Sequence, residues 1–235
     1  MAIIKTQDLS KVYNPDTIPV HALRDVNISF DEGEFTAVRG PSGSGKTTLL
    51  NMLGGLDKPT GGSVMIDGED VSAMKDSDRI DFRLKNIGFV FQHYNLIPVF
   101  TARENVSFIM LLQKRDKKEI KKRADELLEQ VGLGGREDAR PVQLSGGQQQ
   151  RVAVARALAS EPKFILADEP TANLDTESAM NLLDIMERMN KDENVTFIFS
   201  THDQRVIDRA RRVVTMVDGA IHKDEVKKVA EEENL

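Results

Sequence analysis

One short loop constrains the fold of this chain more than any other feature. The sequence GPSGSGKT at residues 40–47 fits the pattern G-x-x-x-x-G-K-[ST]. It follows the apolar run FTAV (residues 35–38) and opens the apolar segment TTLLNML (residues 47–53). A strand, a glycine-rich turn and a helix start together let backbone N–H groups surround a phosphate. The sequence therefore predicts an α/β protein with a site for the phosphates of a nucleotide.

Chemical roles can be assigned within this loop. Lys46 puts a positive charge beside the β- and γ-phosphate oxygens, and the Thr47 hydroxyl is a candidate ligand for Mg²⁺. A plain Gly-Ser loop is the alternative, and the strand before it and the helix after it disfavour that interpretation. The predicted phosphate contacts are Gly40, Pro41, Ser42, Gly43, Ser44, Gly45, Lys46, Thr47 and Thr48.

An acidic pair follows another apolar run. FILADE at residues 164–169 places Asp168 at the end of a buried strand, where it can hold Mg²⁺ through water. Glu169 comes directly after it and is a candidate general base for the attacking water. The alternative is a pair that only terminates the strand before Pro170, and the phosphate loop upstream argues against it.

Other apolar runs alternate with helical patterns. Runs rich in β-branched and aromatic residues predict strands buried on both faces. These runs are residues 35–38, 86–92, 163–168, 195–200 and 212–218. Helices are predicted within residues 116–132 and 176–190, because apolar residues recur every three or four positions. We interpret Met186 and Met189 as core-filling residues of the second helix rather than as a binding face.

The two ends of the chain differ in character. The first third is predicted to be an antiparallel β region with turns at Glu32-Gly33 and Asp67-Gly68. The charged residues 223–235 are expected to form a solvated end. No secretory signal is expected at the N-terminus, and no apolar run is as long as a membrane span. We therefore expect a soluble chain whose membrane role depends on a partner.

Composition narrows the function classes. The 235 residues include no cysteine, which excludes disulfides and thiolate metal sites. A formal net charge of −6 does not favour nucleic acid as a partner. These values are compatible with an enzyme or a protein-binding subunit.

A second helix start of the same kind lies in VQLSGGQQQRVAVARALA (residues 142–159). Gly146 and Gly147 precede a helix-favouring segment, so free N–H groups and the positive end of the helix dipole coincide there. With LSGGQ (residues 144–148) added to the phosphate loop and the acidic pair, the chain resembles the ATP-binding cassette (ABC) ATPases. The resemblance covers nearly the whole chain, and the motifs fall in the order of that family.

The resemblance implies roles for residues that are weak signals alone. Tyr13 would stack on adenine, Gln92 would sense Mg²⁺ and the attacking water, and His202 would contact the γ-phosphate. Asp175, in the loop that follows the catalytic strand, would belong to the nucleotide-binding residues. A lone Tyr or His is more often structural. That interpretation is kept for His21, His93 and His222.

The family's fold implies a single ATP-binding cassette over residues 1–235. It is an α/β P-loop NTPase with a mixed β-sheet core, an antiparallel β subdomain and a helical subdomain. Residues 1–92 and 160–222 would form the core and the β subdomain. Residues 93–159 would form the helical subdomain with the LSGGQ signature, and residues 223–235 the charged tail.

The family's mechanism implies a head-to-tail homodimer that binds two ATP molecules with Mg²⁺. Each ATP would lie between Lys46 of one subunit and the signature motif of the other. The implied signature contacts are Ser145, Gly146, Gly147 and Gln148. The implied catalytic residues are Lys46, Gln92, Glu169 and His202, and the implied metal ligands are Thr47, Gln92 and Asp168.

A narrower resemblance concerns the membrane partner. IGFVFQHYNLIP (residues 87–98) and EPTANLDT (residues 169–176) are similar to the ATPases of macrolide exporters, lipoprotein-release complexes and the cell-division ABC system. This implies an integral permease with few spans and a large extracytoplasmic domain. The ATPase would then be cytoplasmic, on the inner face of the cell membrane.

The loop at residues 93–106 is predicted to carry an apolar groove for that permease, with core packing under the loop as the alternative. The groove residues would be Leu96, Ile97, Val99 and Phe100. Arg39 departs from the apolar residue expected before the phosphate loop, so its charge could reach the nucleotide or an interface.

Two other functions remain open at this point. An ATPase of the cell-division type would regulate a membrane partner without transport, using the same catalytic residues. A soluble ABC ATPase acting on DNA or ribosomes is disfavoured by the acidic charge, the single cassette and the absence of cysteines for zinc.

Overall fold

Within residues 2–227, which the computed structural model describes, the strands form two sheets joined by seven α-helices. The elements in chain order are β1 (Ala2–Tyr13), β2 (Val20–Val26), β3 (Ser29–Asp31), β4 (Phe35–Arg39), α1 (Lys46–Leu53), β5 (Gly61–Ile66), β6 (Glu69–Asp70), α2 (Asp76–Asn86), β7 (Ile87–Val90), α3 (Ala102–Leu112), α4 (Lys117–Gln130), α5 (Gly146–Ala159), β8 (Phe164–Asp168), α6 (Thr176–Glu193), β9 (Thr196–Ser200), α7 (Gln204–Arg209), β10 (Arg212–Val217) and β11 (Ala220–Val226).

The larger sheet has the strand order β11-β10-β4-β9-β8-β7. Its strands run parallel except β11, which pairs antiparallel with β10. β4, β8 and β9 are buried along almost their whole length, as parallel strands covered on both faces should be. The five predicted strands are confirmed. The carboxyl ends of β4, β8 and β9 lie side by side, since Ser200 pairs with both Val38 and Asp168.

The smaller sheet is antiparallel, as predicted. β1 pairs with β2, β3 and β5, and β5 pairs with β6. Asp67 and Gly68 join β5 to β6 with φ values of 49° and 80°, the two positive values that a tight hairpin turn requires. The turn at Glu32-Gly33 also exists, with φ 76° at Gly33, but it connects the smaller sheet to β4 of the larger one.

The helices bury the faces that the apolar spacing predicted. The stripe of α4 and the following turn is buried, and so are Met186 and Met189 of α6, which confirms their packing role. α3, α4 and α5 share one apolar cluster with the larger sheet. The division of the cassette at residues 93 and 159 stays a prediction. No helix within the described residues is long and apolar enough to cross a membrane.

The charged tail begins later than predicted. β11 continues to Val226 and pairs with β10, so residues 223–226 belong to the larger sheet. The charges are tolerated because β11 is an edge strand with exposed side chains, and Asp224 pairs with Arg212 at 2.6 Å. Residues 228–235 of the predicted tail lie outside the described residues.

Candidate nucleotide site

A cavity of about 700 Å³ lies at the carboxyl edge of the larger sheet. It brings together the phosphate loop and residues that are far apart in the sequence. The lining residues are Tyr13, Val20, His21, Ala22, all residues from Gly40 to Thr48, Gln92, Glu169 and His202. Most of this lining consists of residues named from the sequence. Val20, His21 and Ala22 were not named as site residues, because their segment carries no motif, and His21 was interpreted as structural.

The phosphate loop has the backbone shape that anion binding needs. Gly43 and Gly45 have φ values of 79° and 97°, which other residues rarely adopt. A Cβ atom on Gly40 would overlap the carbonyl oxygen of Met216. Lys46 Nζ donates hydrogen bonds to the carbonyl oxygens of Gly40 at 2.9 Å and Pro41 at 3.1 Å. The ammonium group is therefore held inside the curve of the loop.

Two oxygen ligands suited to a hard cation meet beside the loop. The Thr47 Oγ1 atom lies 3.2 Å from each carboxylate oxygen of Asp168. Burial raises the pKa of Asp168, and the hydrogen bond from Thr47 acts in the opposite direction. Within residues 2–227 no cluster of three or more His, Cys, Asp or Glu side chains could hold a metal ion. This pair therefore suits a cation that keeps water and phosphate oxygens as its other ligands.

Glu169 and His202 form a hydrogen-bonded pair in the same cavity. His202 Nδ1 lies 2.7 Å from Glu169 Oε1, and Thr201 Oγ1 donates to Glu169 Oε2 at 3.2 Å. Glu169 has a positive φ of 46°, a strained conformation for a residue with a side chain. The carboxylate is thus fixed at the end of β8, next to Thr47 and Asp168.

Gln92 lies two residues beyond β7 and is connected to the segment that follows β8. The Asn173 side-chain nitrogen donates to the Gln92 carbonyl oxygen at 2.9 Å and lies 3.3 Å from His93 Nδ1. His93, interpreted as structural from the sequence, therefore contacts the loop that contains Asp175. A movement of Gln92 can therefore be transmitted to the loop that contains Asp175 through the side chain of Asn173.

The signature motif lies outside the nucleotide cavity. Ser145, Gly147 and Gln148 line a separate cavity of about 230 Å³ with Arg151 and residues of α6. A Cβ atom on Gly147 would lie 2.8 Å from Ser178 Oγ, and one on Gly146 would lie 2.8 Å from the Tyr94 hydroxyl. Both glycines therefore also permit close packing within the chain.

The side chains of this motif already have partners. Ser145 Oγ accepts from the Gln148 N–H, and the Gln148 side chain accepts from the Ser145 N–H at 2.9 Å, which forms a capping box on α5. Asp175 caps α6 by accepting from the Ser178 N–H at 2.9 Å. None of the four residues from Ser145 to Gln148, nor Asp175, lines the nucleotide cavity of the same chain.

The residues predicted to form an apolar groove differ in exposure. Leu96 packs against the main apolar cluster, and Ile97 is held by Asn105 through its backbone. Val99 is 70% exposed, and the groove at this loop stays a prediction. A separate groove of about 180 Å³ lies between β7, α3 and α5. Its lining is Ile87, Gly88, Phe89, Phe91, Asn95, Ile109, Arg156, Ala157 and Ser160.

Arg39 points to a neighbouring strand rather than to the nucleotide. Its Nε donates to Thr215 Oγ1 of β10 at 3.1 Å, and Arg39 does not line the nucleotide cavity. The hypothesis that its charge reaches the nucleotide is not supported.

These features together define a class. A glycine loop between β4 and α1, with an acid at the end of β8, is the site of a P-loop nucleoside triphosphatase. The capped LSGGQ helix and the Glu169–His202 pair narrow the class to ATP-binding cassettes.

Comparisons with known proteins agree with the assignment to the ATP-binding cassettes. The family model described as ABC transporter matches residues 23–172. The lipoprotein-releasing system ATP-binding protein LolD 1 of Rhodopseudomonas palustris is 47% identical to this chain. The alignment covers 93% of this chain and 98% of the length of LolD 1. The macrolide export ATP-binding/permease protein MacB of Syntrophobacter fumaroxidans is 45% identical over 94% of this chain but only 31% of its own length.

A solved structure is similar over nearly the whole chain. The ATP-binding cassette MJ0796, described as dimeric and bound to ADP and Pi, has a TM-score of 0.88 at 40% identity. The superposition covers 96% of this chain and 99% of the MJ0796 chain. The chain belongs to the ABC transporter family, and it is an ATP-binding subunit with ATPase activity.

Proposed function

We propose that two copies of this chain pair head to tail around two ATP molecules and drive a permease of the lipoprotein-release or efflux type. One observation carries this proposal: the signature motif and the phosphate loop line separate cavities of one chain. A second copy brings a signature motif to the open cavity. The similar cassette MJ0796 is described as dimeric and bound to ADP and Pi, which supports pairing of two cassettes.

Each part of the cavity takes a part of the nucleotide. Tyr13 stacks on the adenine, and residues 40–48 bind the phosphates through backbone N–H groups. Lys46 exchanges its two carbonyl partners for phosphate oxygens. Thr47, Asp168 and Gln92 would hold Mg²⁺, which would supply positive charge at the phosphates. The 3.2 Å separation of Thr47 from Asp168 supports this donor set.

Hydrolysis depends on the Glu169–His202 pair. Glu169 accepts a proton from the attacking water while the bond between the γ-phosphorus and the ADP oxygen breaks. His202 Nδ1, 2.7 Å from Glu169 Oε1, holds the carboxylate in place. The other ring nitrogen of His202 then contacts the γ-phosphate. The strained backbone of Glu169 keeps its carboxylate next to the metal ligands.

The second subunit completes the site. The start of α5, with Ser145 to Gln148, directs its positive dipole end toward the γ-phosphate of the other subunit. Asp175 lies on the same dimer surface. Closing the dimer excludes water and strengthens each charge interaction, so ATP stabilises the closed state. Loss of the γ-phosphate removes the shared contacts and lets the dimer open.

A permease binds at the groove beside β7. Phe91 of its lining directly precedes Gln92, which responds to the nucleotide, and Phe89 and Ile109 line the same groove. Exposed apolar residues of α3 lie on the same helix as Ile109: Phe108, Leu111 and Leu112 are 37%, 50% and 50% exposed. A surface of this kind suits an apolar helix of a membrane protein. The ATPase would then lie in the cytoplasm on the inner face of the membrane, under a permease with few spans and a large extracytoplasmic domain.

The Glu169→Gln substitution tests the proposal. It removes the base but keeps the size of the side chain, so ATP binds and is not hydrolysed. We expect size-exclusion chromatography with ATP and Mg²⁺ to give a dimer and turnover to fall about 100-fold or more. Glu119→Gln, on the exposed face of α4, is the matched control and should behave like the unmodified protein. A Glu169→Gln protein that binds ATP but stays monomeric would contradict head-to-tail pairing.

A further inference from the structure

Two charged residues, Lys11 and Asp57, hold the ring of Tyr13. Lys11 lies two positions earlier on β1, so its side chain is on the same face of the strand. Lys11 Nζ lies 4.9 Å from the centre of the Tyr13 ring. The same nitrogen is 2.9 Å from Asp57 Oδ1 and 2.7 Å from the carbonyl oxygen of Lys58. An ammonium group with these partners is fixed over one ring face.

Asp57 connects that ammonium group to the Tyr13 hydroxyl. The hydroxyl donates to Asp57 Oδ2 at 3.1 Å, and Asp57 Oδ1 also accepts from the Lys58 N–H at 2.7 Å. The side chains of Lys11 and Asp57 are 11% and 36% exposed. Lys11 is largely shielded from water and Asp57 is partly exposed, so water screens this pair less than it screens a fully exposed ion pair. We call Lys11 and Asp57 the tyrosine clamp.

The clamp determines which part of the ring a ligand can reach. Lys11 covers one face, and the hydroxyl is occupied by Asp57. Tyr13 nevertheless lines the nucleotide cavity, together with residues of the phosphate loop. The open ring surface is therefore already in position, and no side-chain freedom has to be lost when a flat ligand stacks on it.

We propose that Asp57 and Lys11 are positioning residues that hold Tyr13 ready for the base of the nucleotide. This inference rests on the proposed role of Tyr13 in binding adenine. The hydrogen bonds of Lys11 and Asp57 go to Tyr13, to each other and to Lys58, and the Tyr13 hydroxyl itself also interacts with Thr48 of the phosphate loop. We therefore expect the clamp to act on the base end of the site and to leave the chemistry at the γ-phosphate unchanged.

The charge states of the clamp fit this role. Burial raises the pKa of the Tyr13 hydroxyl, and the neighbouring Asp57 carboxylate raises it further. Burial opposes ionisation of Asp57, but hydrogen bonds from Lys11 and the Lys58 N–H hold its pKa below the usual value. Near neutral pH the hydroxyl is a donor and the carboxylate an acceptor, as their hydrogen bond requires.

The test separates binding of the base from binding of the phosphates. In Asp57→Ala we expect the KM for ATP to rise about three- to tenfold, since one hydrogen bond that positions Tyr13 is lost, while kcat stays within about twofold. Inhibition by inorganic tripolyphosphate, which has no base, should be unchanged. Asp57→Asn keeps an acceptor for the hydroxyl but not the charge, so its KM should rise less.

The matched control is Asp76→Ala. Asp76 pairs with Lys58 at 2.7 Å and is 72% exposed, and it has no contact with Tyr13. Its removal should leave the KM for ATP unchanged. A rise equal to that of Asp57→Ala would overturn the proposal.

A Tyr13→Ala background provides the decisive comparison. There, adding Asp57→Ala should not change the KM further, because the clamp acts through Tyr13. If Asp57→Ala still raises the KM in that background, or weakens tripolyphosphate binding, its role is structural and the proposal fails. If Tyr13→Ala raises the KM and Asp57→Ala does not, the clamp fails and the function of Tyr13 stands. If Tyr13→Ala leaves the KM unchanged, the adenine role fails as well.

Discussion

Two helices of this chain, α1 and α5, begin at glycine-containing segments. They differ in what satisfies the backbone N–H groups of their first turns. α1 begins after Gly45, which has φ 97° and no side chain to cap the helix. α5 begins after Ser145, which forms a full capping box with Gln148. The first helix start opens into a cavity of about 700 Å³, and the second borders one of about 230 Å³.

This difference indicates two kinds of anion site. The start of α1 offers its N–H groups to a ligand inside its own chain, because no side chain competes for them. The start of α5 is stable without a ligand and presents a preformed surface. It is suited to cover a phosphate that another subunit has already bound. The same dipole argument applies to both helices, and the caps distinguish their roles.

The largest effect is expected at the phosphate loop, where α1 begins. Lys46→Ala removes the ammonium group that the loop holds through Gly40 and Pro41. We expect ATP hydrolysis to fall about 100- to 1000-fold, the range found when a fixed charge at a developing anion is removed. A phosphate-release assay measures this, with Lys122→Ala on α4 as the control. Retention of more than a tenth of the activity would show that the loop is not the main phosphate site.

A smaller effect is expected at the capped helix. Ser145→Ala breaks the capping box, so the free energy of unfolding should fall by about 1 kcal/mol in urea titrations. The affinity of the monomer for ATP should change less than about twofold, because Ser145 does not line the cavity of its own chain. Ser42→Ala, an exposed serine of the phosphate loop, is the comparison for stability. A several-fold loss of monomer affinity in Ser145→Ala would remove the distinction between the two helix starts.

The parts of the fold that depend on local sequence could be predicted. Both the phosphate loop and the acidic pair at residues 168–169 are contiguous in sequence and follow buried strands. The strands themselves were predictable because apolar runs without alternation are typical of parallel sheets covered on both faces. The place of Gln92 and His202 in the cavity came from the family resemblance and not from their local pattern.

The features that local sequence did not reveal depend on distant contacts. The groove beside β7 combines residues of three elements, so no single segment of sequence predicts it. The end of β11 carries charges that resemble a solvated tail, and only its pairing with β10 makes it a strand. In the tyrosine clamp, Asp57 lies 44 residues from Tyr13 and 46 residues from Lys11 along the sequence. No local motif therefore predicts these contacts.

Crosslinking between two copies tests the central claim most directly. The chain has no cysteine, so single cysteines can be introduced without background. One Glu169→Gln protein would carry Ser42→Cys and a second would carry Ser145→Cys, both at exposed positions. With ATP and Mg²⁺, a short bifunctional maleimide should join the two proteins in the mixture and not in either protein alone. Absence of that product in the mixture, or equal products from each protein alone, would contradict the head-to-tail dimer.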